Sequence, residues 1–483
     1  APKNVLFARR AFVHFAVDAE LAYMTTRLAG PATVFLPFNQ GSGGPGEPGG
    51  AGNPGTPDGH PTSYVWREVW DRDRWLELIQ KFVHVERSDD DAAKHASPAI
   101  VFPRYHQWHV VVECQAHVRV HGPGQSYLIQ HSAGSGKTKE IAWLAHDLST
   151  LHRDDDTKLF DKVIVITDRR VLDRQMRRQI AQFEQVTGVV RSVTESSAEL
   201  LEALRSEQAK IVTTTLQKFP FVLQKLDEED DLSAKSYAVI VDEAHSSQSG
   251  ETAADLKQLL GSLTPEDLDL DEDDGTPAAL LARLAARGRQ PNLSFFAFTA
   301  TPKAKTLELF GTKGPDGKPR AFHTYSMRQA IEEKFIIDVL ANYTTYEQLF
   351  RLETAAEETI EVPSGQASRR LARFTELHPY VKSQKAAVVI DHFKRVVRPL
   401  LGGQGKAMVV CESREEAVQW KRALEQEIER HAHEDVKVLV AFSGEVTIKN
   451  PDADNVGMSY TEPQMNKIAG KPLPETKLPD EFD

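Results

Sequence analysis

A glycine-rich turn after a short apolar run is the stretch of this chain best equipped for chemistry, with the sequence YLIQHSAGSGKT at residues 127–138. Its glycines allow successive backbone N–H groups to close around phosphate oxygens. The lysine can reach the β- and γ-phosphates, and the threonine hydroxyl can help to hold Mg²⁺. The strict phosphate-loop motif begins with glycine, and this chain has His131 at that position. The remaining residues still predict a phosphate-binding loop. The residues predicted to bind ATP here are Gly134, Ser135, Gly136, Lys137 and Thr138.

Two adjacent carboxylates, Asp242 and Glu243, follow the apolar run Tyr237 to Val241. Beside a phosphate loop, one carboxylate can bind the Mg²⁺ and the other can orient or deprotonate the attacking water. We assign Asp242 to the metal, together with Thr138, and Glu243 to the water. The predicted catalytic residues are therefore Glu243, Asp242 and Lys137.

Small hydroxyl residues end another apolar run, Leu293 to Phe298, which leads into Thr299, Ala300, Thr301 and a proline. Such hydroxyls can hydrogen-bond neighbouring carboxylates and report the state of the nucleotide to a second lobe. A plain exit from a strand into a turn would have the same sequence, and the pattern alone leaves both interpretations open.

Three further sites have side chains suited to polyanions or bases. Arg169 and Arg170 belong to the densest basic cluster of the chain, which could grip a phosphate backbone. Thr215 and Gln217 end a similar apolar run and could do the same, although either group could equally be a solvated surface. Upstream, Gln107 could read the hydrogen-bonding edge of adenine.

These residues need a parallel sheet to bring them together. From about residue 103, apolar runs of four to six residues alternate with turns and helical segments, as in an α/β fold with helices on both faces. In such sheets, ligands bind beyond the carboxyl ends of the strands, where every motif above lies. The predicted strands are Tyr127 to Gln130, Val163 to Thr167, Ile211 to Thr215, Tyr237 to Val241 and Leu293 to Phe298.

The rest of the chain divides by composition. Before residue 40, alternating apolar residues predict hairpin strands. The next segment is rich in Gly, Pro and Ser, which predicts a flexible loop. Helical periodicity follows that loop. Towards the other end, we expect a helix around Gln384 to Val397, a strand at Ala407 to Cys411, a helix at Glu415 to Arg430, a strand at Val436 to Phe442 and a patternless polar tail. The predicted segments are 1–40, the end of an upstream nuclease-like domain; 41–63, the loop; 64–102, a helical linker; 103–330, lobe 1; and 331–483, a partial lobe 2 with the tail.

Composition limits the classes of function. The chain has 483 residues, 40% of them hydrophobic and 27% charged, which is ordinary for a globular protein. A net charge of -12 argues against coating nucleic acid by bulk electrostatics, so contacts with DNA must use local basic patches. Two distant cysteines give neither a disulfide framework nor a zinc spacing, which favours the cytoplasm, and no apolar run is long enough to cross a membrane.

The order of these motifs resembles superfamily 2 helicases and translocases. The sequences around them are similar to those of the restriction (motor) subunit of type I restriction-modification enzymes. The segments that carry this similarity are RYHQWHVV, YLIQHSAGSGKT, VITDRRVLDRQ, VDEAHSSQSGE and FTATPKAKTLELFG. The resemblance implies a RecA-like P-loop NTPase fold, with one complete lobe, a partial second lobe and a small N-terminal α+β segment. It also implies an ATP- and Mg²⁺-dependent motor on double-stranded DNA, partnered by modification (methyltransferase) and specificity subunits. In this family pattern, His245, Thr299, Ala300 and Thr301 would couple the nucleotide to motion.

Two features of that family are not found. No arginine that could stabilise the transferring phosphate follows Arg430, so we expect the chain to bind ATP but to hydrolyse it slowly. The chain also begins at Ala1, which suggests that it is a piece of a longer protein. The Glu-x-Lys tripeptides at Glu332 and Glu475 match a nuclease motif only by chance, and the histidine pairs at 106 and 109 and at 431 and 433 look ordinary. A stand-alone DNA or RNA helicase and a non-catalytic, ATP-binding scaffold remain as alternatives.

Overall fold

The computed structural model divides the chain into two compact units, Ala1–Tyr343 and Thr344–Asp483. The structure describes residues 10–56, 59–86, 99–167, 176–177, 179–183, 188–193, 197–215, 230–242, 291–314, 316–338, 379–399, 403, 405–411, 413–431, 433, 435–448, 455–468 and 471–482.

Fourteen strands are found in the described part of the first unit. They are β1 (His14–Val17), β2 (Ala22–Thr25), β3 (Leu36–Pro37), β4 (His84–Glu86), β5 (Ala99–Val101), β6 (Ser126–His131), β7 (Lys162–Thr167), β8 (Val190–Ser192), β9 (Ile211–Thr215), β10 (Tyr237–Val241), β11 (Leu293–Thr299), β12 (Thr312–Lys313), β13 (Pro319–Arg320) and β14 (His323–Tyr325). Seven of them form one sheet in the order β14-β6-β11-β10-β7-β9-β8, and every neighbouring pair is parallel. The predicted RecA-like, doubly wound parallel sheet is therefore confirmed.

The helices of this unit are α1 (Arg72–Lys81), α2 (Tyr105–His121), α3 (Lys137–Ser149), α4 (Ser197–Arg205), α5 (Asp230–Ser233), α6 (Ala304–Phe310) and α7 (Met327–Glu332). Short 3-10 helices at Gly30–Ala32 and Pro61–Ser63 and a π-helix at Val65–Val69 complete the described elements. Strands β7, β9 and β10 are buried along their whole length, because helices and loops cover both faces of the sheet. All five predicted strands are present, and none of their ends differs from the prediction by more than one residue.

The sheet also contains two strands that the sequence did not reveal, β8 and β14. Each has three residues, and the sequence of β14 is His-Thr-Tyr, which has no apolar run to signal a buried strand. Strand β14 pairs with β6 so that Tyr325 lies opposite His131, at the start of the phosphate loop. This missed strand is therefore part of the wall of the predicted site.

The N-terminal strands pack onto the same core as the sheet. Strands β1, β2 and β3 form an antiparallel sheet, as the alternating pattern predicted, and Met24 and Phe38 share one apolar cluster with Tyr127 and Phe296. The glycine-rich segment that follows was predicted to be flexible. Its described part is tied to the unit by hydrogen bonds, including one from the Thr324 N–H to the Gly46 carbonyl at 2.7 Å.

The second unit contains α8 (Pro379–His392), α9 (Arg414–Arg430), α10 (Glu462–Met465), α11 (Leu478–Phe482), a π-helix at Phe393–Val397 and a 3-10 helix at Glu475–Lys477. Both predicted helices are confirmed. Its short strands form two antiparallel pairs, β15 (Glu445–Thr447) with β16 (Ser459–Thr461) and β17 (Lys467–Ile468) with β18 (Lys471–Pro472), so the tail is not patternless.

The prediction of two strands in the second unit is wrong. Residues 407–411 and 436–442 are described but are not paired in any sheet. Met408 and Val410 are each 83% exposed, and an apolar run becomes a strand only when a neighbour completes its hydrogen bonds and covers its side chains. The described residues of this unit contain no parallel strand pair, and its assignment as a partial second lobe stays a prediction.

Candidate functional site

The predicted phosphate loop, residues 131–138, connects the end of β6 to the first turn of α3. Gly134 and Gly136 have φ of +75° and +88°, in the left-handed region that other residues avoid, so both glycines are needed for the turn. Gly136 is the N-cap of α3, and no side chain caps that helix. The partial positive charge of a helix N-terminus thus points into the loop, as an anion site requires.

A layer of side chains holds the loop from behind. The carbonyl of Ser135 accepts hydrogen bonds from Arg104 Nη2 and Gln107 Nε2, both at 2.7 Å, and lies 3.3 Å from His106 Nε2. Arg104 is the N-cap of α2, and His106 and Gln107 lie in its first turn. The Arg104 N–H also donates to Gln107 Oε1 at 2.9 Å. Neither Arg104 nor His106 was predicted as a site residue.

Gln107 was predicted to read adenine. In the structure both ends of its amide are engaged within the protein, and the residue is buried. A Cβ on Gly136 would lie 2.4 Å from Gln107 Nε2, so glutamine and glycine are packed against each other. Gln107 supports the phosphate loop here, and contact with adenine stays a prediction.

The Ser135 hydroxyl is a buried polar atom that has no hydrogen-bond partner among the described residues. The loop therefore offers an unsatisfied hydroxyl, a cradle formed by left-handed glycines and a helix N-terminus. A phosphate group satisfies all three, because its oxygens accept hydrogen bonds and its charge suits the helix dipole. The described residues fit a bound nucleotide.

The carboxyl ends of the central strands present the remaining predicted groups. Strand β11 lies between β6 and β10, so Thr299 stands between the phosphate loop and Asp242. The Thr301 N–H donates to Thr299 Oγ1 at 3.3 Å, and the Asp242 N–H donates to the Ile166 carbonyl at 3.0 Å. Two strand spacings separate β6 from β10, about 10 Å, which leaves room for phosphate and metal between them.

Thr215 ends β9, two strands beyond β10 on the same edge of the sheet, and its side chain is buried. Lys137 and Thr138 begin α3, and Ala300 and Thr301 follow β11. Five predicted site residues lie outside the described residues: Arg169, Arg170, Gln217, Glu243 and His245. Their roles stay predictions.

Arg104 belongs to a buried polar layer that includes Tyr325 and Glu333. Its guanidinium carbon lies 3.5 Å from the centre of the Phe335 ring, and burial lowers the pKa of Arg104, opposed by the charges of Glu140 and Glu333. Tyr325 donates to Glu333 Oε2 at 2.7 Å, and the Tyr325 carbonyl accepts from the Ser132 N–H at 3.0 Å. This layer connects α2, β14 and the phosphate loop.

Four histidines meet behind the phosphate loop, although the sequence gave no reason to group them. This histidine cluster consists of His106, His109, His131 and His323. His131, which replaces the usual glycine, contacts Glu140 Oε2 through Nδ1 and His323 Nδ1 through Nε2, each at 2.8 Å. The sequence could not group His106 and His109 with these side chains, because residues 131, 140 and 323 are far away in the sequence.

Residues 106–265 of the chain match the SWI2/SNF2 ATPase family. The match begins in α2 and includes the phosphate loop and Asp242. Among the described residues, no helix is long and apolar enough to cross a membrane.

Curated relatives carry the names that the motifs suggested. The chain is 25% identical over 268 residues to the type I restriction enzyme SsaAORF53P endonuclease subunit of Staphylococcus saprophyticus, over 53% of this chain and 24% of that protein. It is 29% identical over 135 residues to the C-terminal part of a putative type I restriction enzyme MpnIIP endonuclease subunit of Mycoplasma pneumoniae, over 27% of this chain and 61% of that protein. The chain thus spans about a quarter of the length of the first relative and less than two thirds of the length of the second.

A solved structure of similar description is a fragment of a putative HsdR subunit of a type I restriction enzyme from Vibrio vulnificus. It is 16% identical, the match covers 78% of this chain and 53% of that one, and the TM-score is 0.38. The resemblance predicted from the motifs is confirmed by the curated relatives: the chain is similar to endonuclease subunits of type I restriction enzymes, and part of it matches the SWI2/SNF2 ATPase family.

Proposed function

We propose that this chain is the ATP-dependent motor region of a type I restriction enzyme's endonuclease subunit, and that it moves double-stranded DNA during restriction of foreign DNA. Sequence similarity to such subunits supports the assignment. The observation that carries the motor part is the glycine-lined cradle at the N-terminus of α3, with Asp242 two strands away on the same edge of the sheet.

In this proposal, Mg·ATP binds at the phosphate loop and supplies the phosphoryl group that is transferred to water. Gly134 to Gly136 present backbone N–H groups, Lys137 neutralises phosphate charge, and Thr138 and Asp242 hold the Mg²⁺. Glu243 orients or deprotonates the attacking water. The layer of Arg104, His106 and Gln107 behind the Ser135 carbonyl keeps the loop open for phosphate.

Coupling to DNA would begin at the strand that separates the two halves of the site. Thr299 and Thr301 lie on β11 and just after it, between the phosphate loop and Asp242, where a change in phosphate contacts reaches them first. His245 and Ala300 complete the proposed coupling group. Arg169, Arg170 and Gln217 would contact the DNA backbone, and Thr215, which is buried, would have to become accessible to do so. The modification and specificity subunits would supply the target site.

The first test separates nucleotide binding from catalysis. Lys137→Ala should abolish ATP binding measured by calorimetric titration, because the loop loses its cation, whereas Glu243→Gln should bind ATP normally and lose hydrolysis. As a matched control, Lys313→Ala removes a positive charge from the exposed strand β12. ATP binding unchanged in the Lys137 variant would rule out the phosphate-loop assignment.

A second measurement addresses the DNA. The full chain should show ATPase activity that rises with linear duplex DNA and depends on salt, because phosphate contacts release counterions. It should not separate a forked duplex. Strand separation would favour a stand-alone helicase, and no nucleotide turnover with any DNA would favour a scaffold.

A further inference from the structure

Part of the histidine cluster forms a second site of a different kind, made by two histidines and a glutamate. His109 and Glu113 are one turn apart on α2, and His323 is the first residue of the edge strand β14. His109 Nδ1 lies 3.0 Å from His323 Nε2, His109 Nδ1 lies 3.5 Å from Glu113 Oε2, and His323 Nε2 lies 3.9 Å from Glu113 Oε2. Three potential ligand atoms thus face one point.

These separations match those of a tetrahedral metal. Ligand atoms about 2.0–2.1 Å from a Zn²⁺ ion are about 3.3–3.4 Å from one another. The three separations at this site bracket that value, so small side-chain movements would close the shell. Two imidazoles and one carboxylate are also a ligand set that catalytic zinc sites use, with the fourth position left open to water.

The surroundings orient one of the imidazoles for this purpose. Glu140 Oε2 lies 2.8 Å from His131 Nδ1, and with the carboxylate as acceptor that nitrogen carries the proton. His131 Nε2 then accepts from His323 Nδ1, so His323 Nε2, the atom that faces the site, carries a lone pair. Without a metal this lone pair accepts from His109 Nδ1 at 3.0 Å, and a bound ion would replace that hydrogen bond. A carboxylate and a histidine thus fix the tautomer of a potential metal ligand, as outer-shell partners do in metal sites.

The glutamate supplies an unsatisfied atom. Glu113 Oε2 is buried and has no hydrogen-bond partner among the described residues, although the side chain as a whole is 39% exposed. The orphan oxygen, the lone pair of His323 Nε2, and His109 Nδ1 once its proton has left that nitrogen are suited to a cation with affinity for nitrogen.

We propose that His109, Glu113 and His323 bind a zinc ion whose fourth position is open to water. The partly exposed glutamate gives the ion a path from solvent. The second group of potential ligands, His106, His131 and Glu140, is entirely buried, and its nitrogens already contact Glu140 and the Ser135 carbonyl. The ion would not compete with the Mg²⁺ of the nucleotide, because Mg²⁺ prefers oxygen ligands and the zinc site has two nitrogens.

Zinc at this position would join α2 to β14 and thereby brace the phosphate loop. Strand β14 ends at Tyr325, whose carbonyl accepts from the Ser132 N–H, and α2 carries the side chains on the Ser135 carbonyl. The Gly46 carbonyl accepts from the Thr324 N–H, and a Cβ on Gly46 would lie 2.8 Å from the His323 ring, so the glycine-rich segment covers one side. The ion would thus stabilise three segments that are distant in sequence.

The test is a zinc titration of the full chain after treatment with a chelator. Competition with a chromogenic chelator should show one Zn²⁺ per chain, excess Mg²⁺ should not displace it, and added Zn²⁺ should raise the melting temperature. Glu113→Gln, which keeps shape, and His109→Ala should each weaken zinc binding at least about tenfold. His121→Ala is the control, because His121 lies on the same helix, is exposed and is outside the cluster.

Co²⁺ gives an independent readout, since a tetrahedral site with nitrogen ligands has intense visible absorption that Glu113→Gln should reduce. Absence of zinc binding by the wild-type chain would overturn the proposal. Equal zinc binding by the wild type and by the double variant with His109→Ala and Glu113→Gln would also overturn the proposal. That result would place the ion at the buried group of His106, His131 and Glu140 or elsewhere. Circular dichroism spectra of the variants establish that they fold.

Discussion

At the scale of single residues, the phosphate loop depends on one close contact between a glycine and a glutamine. Gly136 has φ of +88°, and a Cβ there would lie 2.4 Å from Gln107 Nε2. The glutamine cannot move away without losing its hydrogen bonds to Ser135 and Arg104. Conformation and packing therefore both require glycine at this position.

Replacement of this glycine tests the two requirements separately. Gly136→Ala should lower the free energy of unfolding by about 1–2 kcal/mol through backbone strain alone, and more through the contact with Gln107. It should also weaken ATP binding. Gly52→Ala is the matched control, because Gly52 has φ of +94° but nothing within 4 Å of the added Cβ. Urea denaturation and ATP titration measure both effects, and equal losses in the two variants would contradict the packing argument.

At the scale of elements, a buried carboxylate ties α3 to α1 and α2. Asp147 Oδ1 accepts from Lys81 Nζ at 2.5 Å and from Gln115 Nε2 at 3.2 Å, and Lys81 also contacts Glu77 Oε1 at 2.9 Å. Burial raises the pKa of the Asp147 carboxyl, opposed by Lys81. The helix that begins at the phosphate loop is thus held at its far end by a charged contact.

Removal of the lysine should destabilise this helix packing. Lys81→Met leaves the Asp147 carboxylate buried with a neutral amide as its remaining partner, and should cost about 2–3 kcal/mol in urea denaturation. Arg328→Met provides a control, because the Arg328 to Glu332 pair on α7 is exposed and should contribute at most about 1 kcal/mol. Comparable costs for the two variants would show that burial does not decide the energy of these pairs.

At the scale of the whole molecule, the dependence of stability on pH includes an unusual contribution from a buried cation. Lys162 begins β7, is only 3% exposed, and donates to the carbonyls of Ser206 and Ala209. Burial, with the nearby charge of Lys210, lowers the pKa of Lys162 to about 8. The folded protein therefore binds this proton less tightly than the unfolded chain does.

The sign of the effect follows from proton linkage. Between about pH 8 and the ordinary lysine value of about 10.4, the unfolded chain holds more protons than the folded one, so this group makes stability rise with pH. Below pH 8 its cost is fully present and constant. The difference in unfolding free energy between wild type and Lys162→Met should thus grow in favour of wild type from pH 8 to pH 10. A difference that does not change with pH would show that Lys162 is not perturbed.

The sequence by itself determined the central sheet. Strands β7, β9 and β10 are runs of β-branched and apolar residues bounded by turns, and such runs are buried on both faces wherever they pair. The phosphate loop could also be predicted from the sequence, because Gly134 and Gly136 have positive φ, a local requirement that favours glycine. The family resemblance followed from the order of these motifs.

Only the tertiary structure decided which distant side chains meet. Arg104 and Gln107 reach the Ser135 carbonyl, and His109 reaches His323 across 214 positions, because β14 pairs with β6 and α2 contacts both strands through its side chains. Strand formation depended on tertiary contacts too: the apolar run that includes Met408 and Val410 remains exposed, whereas the polar β14 is paired. Pairing and side-chain clustering depend on neighbours that are remote in sequence, so local pattern cannot specify them.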